Sequence, residues 1–114
     1  MDHRPLRGLS PADLDRQIRV PRAILEEAIS TEVRCLAYPY GVMPDAAAAP
    51  VVAEVYAAAC ATTLERVMAS SDLFALPRID AHYLRHSSVF RRVVGGGLDS
   101  YVRVRRFGRR LGRR

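Results

Sequence analysis

Arg34-Cys-Leu-Ala-Tyr-Pro-Tyr-Gly41 is the stretch from which the rest of this sequence is read. Val33, Cys35 and Leu36 form a short apolar run that stops at Tyr38-Pro39, so it predicts a buried strand ending in a rigid turn. Pro39 and Gly41 bracket Tyr40. Proline fixes one backbone torsion and glycine lets another group approach closely, an arrangement suited to presenting backbone rather than a side chain to a ligand.

Working outward, Ser10-Pro-Ala-Asp13 is a helix start: a hydroxyl cap, proline at the first helical position and an acid three residues after the cap. Leu14, Ile18, Pro21, Leu25 and Ala28 follow at helical spacing, and Pro21 inside the pattern predicts a kink or a split. Composition leaves residues 46–67 open between one long alanine-rich helix and a helix followed by a strand. Leu64 to Ala75 reads as loop and Leu76 to Asp80 as a short strand entered through Pro77. Ala81 to Val94 is helix-like, Gly95-Gly-Gly97 stops it, and Leu98 to Leu111 restarts it. In that last segment Tyr101, Val104, Phe107 and Leu111 fall within one half of a helical wheel and most arginines on the other, a basic amphipathic helix. Residues 1–9 are polar and read as outside any packed element.

At 114 residues, 49% apolar and 26% charged, the composition is that of one soluble globular domain able to bury a core. All eighteen basic residues are arginine, a bias that with so many alanines is expected of GC-rich coding. The net charge of +6 is concentrated at one end: seven arginines and no acid lie from Arg103 onward, while eleven arginines and twelve acids precede them. Neither a membrane-length apolar run nor a basic-then-apolar secretory start is present, so the cytoplasm is the default compartment. Cys35 and Cys60 sit in apolar surroundings and read as buried free thiols.

Three segments carry a family resemblance. Leu36-Ala-Tyr-Pro-Tyr-Gly41 resembles the Phe/Leu-Ala-Tyr-Pro-Tyr-Gly segment of the polysaccharide deacetylases, the NodB-homology group of metal-dependent carbohydrate de-N-acetylases. Glu54-Val-Tyr-Ala-Ala-Ala-Cys-Ala-Thr-Thr63 is similar to their Gly-Tyr-x-Ala-Ala-Cys-Thr-Thr step from helix to strand, with Val55 where the family has glycine. Ser71-Asp-Leu-Phe-Ala-Leu-Pro-Arg-Ile-Asp80 resembles their Asp-Pro-x-x-Leu-Pro-Arg-Ile segment. The three stand in the family's order and at a plausible spacing. Asp2-His3-Arg-Pro-Leu-Arg-Gly-Leu-Ser10 is similar to the second histidine of the family's His-Ser/Thr-x-x-His metal motif and its exit.

The resemblance implies an α/β fold: a partial (β/α) barrel of the polysaccharide deacetylase type over residues 1–80, with a helical, arginine-rich tail over residues 81–114. It selects a helix to about Tyr56 and a strand from Ala58 to Thr62. It implies hydrolysis of N-acetyl amides on a carbohydrate polymer, with a divalent metal such as zinc held by one aspartate and two histidines. An amide is a poor electrophile, so such a site needs a Lewis acid, a hydroxide source and oxyanion donors. By the same resemblance His3 is a metal ligand, and the backbone N–H of Tyr40, aimed by Pro39 and Gly41, binds the oxyanion. Ala37 replaces the arginine that tethers the base aspartate in many relatives, and Arg78 stands at the rim of the site or pairs with an acid. Leu84-Arg-His86 faintly resembles the late Leu-x-His motif, making His86 a general-acid candidate.

Much of that machinery is not in this sequence. The Thr-Phe-Asp-Asp-Gly motif that carries the base and the metal aspartate has no counterpart. The resemblance therefore predicts an incomplete site, either because coding sequence continues upstream of Met1 or because the gene is truncated. It also predicts unpaired strand edges and a marginal, aggregation-prone chain. His82 and His86 stand at i, i+4, a spacing that would put both on one helical face, without a third ligand placed nearby. Two alternatives come from other classes: a small nucleic-acid-binding protein acting through Arg103 to Arg114, for which no recognised motif is present, and peripheral contact of the same helix with an anionic membrane.

Overall fold

The structure is a computed structural model that describes residues 3–79 and 81–111. Helix α1 spans Pro11–Ile29 and begins where the cap predicts: Ser10 Oγ accepts from the Asp13 amide at 3.2 Å and donates to the Asp13 carboxylate at 2.6 Å. Ser30, with φ 50°, closes it. Pro21 does not split the helix, which runs on as a single element. In the turn before it, the hydroxyl of buried Tyr56 donates to the Ile18 carbonyl at 3.1 Å.

Strand β1 is Cys35–Ala37, helix α2 is Ala48–Val55 and strand β2 is Ala58–Cys60. The two strands are parallel, in register Cys35 with Ala58, Leu36 with Ala59 and Ala37 with Cys60. A parallel pair needs a crossover, and α2 supplies it. Asp45 starts α2, its carboxylate accepting from the Ala47 and Ala48 amides at 3.1 and 3.0 Å. On the far side of β2 the chain returns through residues 73–76. Ala59 donates to the Leu73 carbonyl, Leu76 to that of Ala59 and Ala61 to that of Leu76. The strand expected over Leu76 to Asp80 is thus a single parallel bridge, Leu76 to Cys60, since Pro77 has no N–H to extend the ladder. Asp80 lies outside the described residues. The described residues form this β-α-β unit with a third parallel contact; they do not close a barrel.

Leu6, Leu14, Ile18, Tyr38, Val52, Val55, Tyr56 and Ala59 form the core, between the first half of α1, α2 and one face of the sheet. Leu6 corrects the expectation that residues 1–9 stay outside the packing. The apolar stripe of α1 is also shorter than its sequence pattern: Leu25 is 48% exposed, and Ile24 and Ile29 are exposed beside it. At 8 residues, α2 is less than half as long as the 19 residues of α1 and leaves its last turns uncovered. Cys35 is exposed and Cys60 half-buried, both free, because they lie on the sheet face opposite Leu36 and Ala59, which no element covers among the described residues.

Beyond residue 80 the helix expected over Ala81 to Val94 is broken into a 3-10 turn, Ala81–Leu84, and a short helix α3, Ser87–Arg92. Gly95-Gly-Gly97 interrupt the winding as expected: within the π-type turn Val93–Gly97, Gly95 (φ −76°, ψ 17°) and Gly96 (φ 97°, ψ −2°) leave helical geometry and kink the chain, and helix α4, Leu98–Leu111, follows. Among the described side chains of α4, Val102 is buried, on the side of the helix away from the half that holds Tyr101 and Val104.

Candidate functional site

The carboxyl ends of parallel strands are where α/β folds assemble sites, since the loops leaving them converge there. Here that end carries Pro39-Tyr40-Gly41, a tight 3-10 turn whose hydrogen bonds are Gly41 N–H to the Tyr38 carbonyl, 2.8 Å, and Val42 N–H to the Pro39 carbonyl, 3.1 Å. The Tyr40 N–H is not one of the turn's two donors. Tyr38 anchors the turn from below: it is buried, its amide donates to the Cys60 carbonyl at 3.0 Å, and its hydroxyl to the Phe74 carbonyl at 2.9 Å. Burial pushes the Tyr38 phenol up, so it remains a neutral donor.

Two consecutive residues take left-handed backbone. Tyr40 is at φ 55°, ψ 12°, and Gly41 at φ 68°. For glycine that conformation is free, whereas for tyrosine it costs about 1–2 kcal/mol. Gly41 is needed for a second reason. A Cβ there would stand 2.1 Å from Thr62 Oγ1 and 2.6 Å from Thr62 Cβ, so the turn is pressed against the segment leaving β2. The exposed phenol of Tyr40 stacks on the imidazole of His3, ring centroids 4.7 Å apart and planes inclined by 23°. Beside them a cavity of about 280 Å³ opens between His3, Pro21, Ala37 and Pro39.

His3 is held there by an arm whose composition alone predicts no packing. The Asp45 carboxylate accepts from the Gly8 amide at 2.7 Å, Arg7 Nε donates to the Met43 carbonyl at 2.7 Å, and Leu6 is buried below. The backbone N–H groups of Gly8 and then Ala48, with lesser help from Ala47 and Arg7, outweigh the opposing effect of burial and hold the Asp45 carboxyl below its ordinary range. Asp45 ahead of an alanine run is a recognisable helix-cap signal, but its second duty to Gly8 is long-range and has no local mark. Thr62 is likewise visible only in three dimensions.

The structure thus brings His3, Pro39, Tyr40 and Gly41 together and places the other candidates elsewhere. Arg78 is exposed and donates from Nε to the Ala61 carbonyl at 3.1 Å, tying the returning segment to the end of β2. His82 lies in the 3-10 turn, its Nε2 3.4 Å from Arg85 Nη1, and His86 is the extended residue that precedes α3. The helical face that their spacing suggested does not exist. Among the described residues no group of three or more His, Cys, Asp or Glu side chains stands to hold a metal ion. His3 alone does not make a metal site. No protein-family model, curated protein or solved structure gives a significant match to this chain.

Proposed function

We propose that this chain forms part of a polysaccharide deacetylase-like domain, supplying the oxyanion donor and one imidazole for hydrolysis of N-acetyl groups on a carbohydrate polymer. The observation that carries the reading is the stacking of His3 on Tyr40 at 4.7 Å. These residues stand 37 positions apart, and the resemblance assigned each of them independently to one site. In that role the Tyr40 N–H, which the turn does not use, donates to the carbonyl oxygen of the scissile amide as it gains negative charge, and left-handed backbone at Tyr40 and Gly41 fixes its direction. The base aspartate and the remaining metal ligands are not among this chain's described residues, so no step is assigned to a metal here. His86, the extended residue before α3, takes no part in this proposal.

The sheet supports the same reading. Its second face is made of Cys35, Ala37, Ala58 and Cys60, small and apolar, although no element covers it among the described residues. Parallel sheets are ordinarily covered on both faces, whereas a face meant for water is polar. A barrel would turn that face inward and would pair the free edge of β1.

The test is to translate the coding DNA upstream of the Met1 codon in frame, express the extended protein, and measure acetate release from an N-acetylglucosamine polymer. A Thr-Phe-Asp-Asp-Gly motif upstream and metal-dependent release by the extended protein, with none by the 114 residues alone, is the expected result. An upstream frame without an Asp-Asp pair would refute the assignment.

A further inference from the structure

We propose that the C-terminal helical segment docks on an anionic phospholipid surface. Two contacts fix which side of α4 faces the body of the protein. Asp99 Oδ1 meets Arg66 Nε at 3.0 Å, and Val102, one turn on, is 8% exposed. Val104 lies two residues further, about 200° around the helix, and is 71% exposed, so it is on the side away from the body. The sequence continues from Val104 with apolar residues at i+3 and i+7, Phe107 and Leu111, the spacing of one helical stripe. Ahead of α4, Phe90 and Val94 are 50% and 68% exposed, at i, i+4, next to exposed Arg91 and Arg92.

Exposed Phe90, Val94 and Val104 form apolar surface of the kind that is normally covered. The charge around it selects its cover. Seven arginines and no acid lie from Arg103 to Arg114, so a second copy of the same segment would be repelled, while a bilayer carrying acidic headgroups offers both opposite charge and an apolar layer beneath it. Arginine suits this use, because its stem lies along the acyl boundary while the guanidinium forks onto phosphate oxygens. Nucleic acid would satisfy the arginines but would leave Val104 and Val94 in water, which makes it the weaker match.

The experiment is flotation of the full chain with vesicles of phosphatidylcholine alone and of phosphatidylcholine mixed equally with phosphatidylglycerol. The chain is expected to float with the mixed vesicles only. Replacing Val104→Asn together with Phe107→Asn should weaken partitioning about tenfold by removing apolar burial. Arg109→Gln with Arg110→Gln should weaken it by a similar factor of about ten. Circular dichroism on each variant checks that the helix persists. No flotation with the acidic vesicles overturns the proposal, as does retention of full binding by the Val104/Phe107 variant. Binding to mixed-sequence duplex DNA at a salt concentration that keeps the chain off vesicles also overturns it, in favour of a nucleic-acid partner.

Discussion

Gly41 lies so close to Thr62 that no side chain fits between them: a Cβ on Gly41 would be 2.1 Å from Thr62 Oγ1, 2.4 Å from its Cγ2 and 2.6 Å from its Cβ. Gly41→Ala should therefore lower stability by about 2–3 kcal/mol, from left-handed backbone and overpacking together. Adding Thr62→Ala should recover only part of this, since the Thr62 Cβ itself is in the way, and Thr62→Gly should recover more. Urea unfolding of the three variants checks the order. Equal rescue by both Thr62 changes would show that the backbone has moved apart.

Tyr40 tests the backbone conformation separately from the packing. Asparagine tolerates left-handed backbone and a β-branched residue does not, so Tyr40→Val should destabilise by about 1–2 kcal/mol more than Tyr40→Asn. Thermal melts of the pair read the difference directly, because both replacements remove the stack on His3 alike.

Three carboxylates make the fold acid-sensitive. Asp45 is held below its ordinary range first by the Gly8 amide, Asp13 first by Ser10 and then by Arg16, and Glu26 first by the Val33 amide and then by Arg22. A carboxyl whose folded value is depressed contributes stability that is present above its unfolded value and is lost as pH falls through the folded one. The thermal midpoint should be flat near neutrality and should fall as pH drops from about 5 toward 3. Asp45→Asn should lower the neutral-pH midpoint and flatten that slope, and a slope unchanged by the substitution would place the acid sensitivity in other groups.

The uncovered half of α1 and the free edge of β1 predict self-association of the 114-residue chain. Ile24→Lys with Ile29→Glu should reduce the apparent mass in light scattering at micromolar concentration, and should shift stability by no more than about 0.5 kcal/mol per site because both side chains are already half in water. A melting midpoint that falls sharply would mean instead that these residues pack within the monomer.

The β-α-β order was legible from the chain because each element has a local or family-like mark: Ser10 and Asp13 for the start of α1, Pro39 and Gly41 for the turn, Ala58 to Cys60 for β2. The juxtaposition of His3 and Tyr40 was legible only through the resemblance, since the two motifs are far apart in sequence. What stayed hidden depends on which surfaces meet. Leu25 has the same helical spacing as Leu14 and Ile18, and only the short reach of α2 decides that it is left outside. Cys35 and Leu36 are adjacent apolar residues, and sheet alternation sends them to opposite faces. His82 and His86 have helical spacing across a stretch where the helix is broken.

The arm that carries His3 is joined to the rest by a few distant partners rather than by a ladder: the Gly8 amide on Asp45, Arg7 on Met43, and the Leu6 side chain in the core. Such a segment opens as a unit of its own, at a smaller free energy than the β-α-β body requires to unfold. Protonating Asp45 weakens the acceptor that holds Gly8, so acid strong enough to protonate a carboxyl held below its ordinary range would free the imidazole from the turn ahead of the paired strands. The two halves of the candidate site would then part by detachment and not by denaturation, and amide exchange at Gly8 would run ahead of exchange at Ala59.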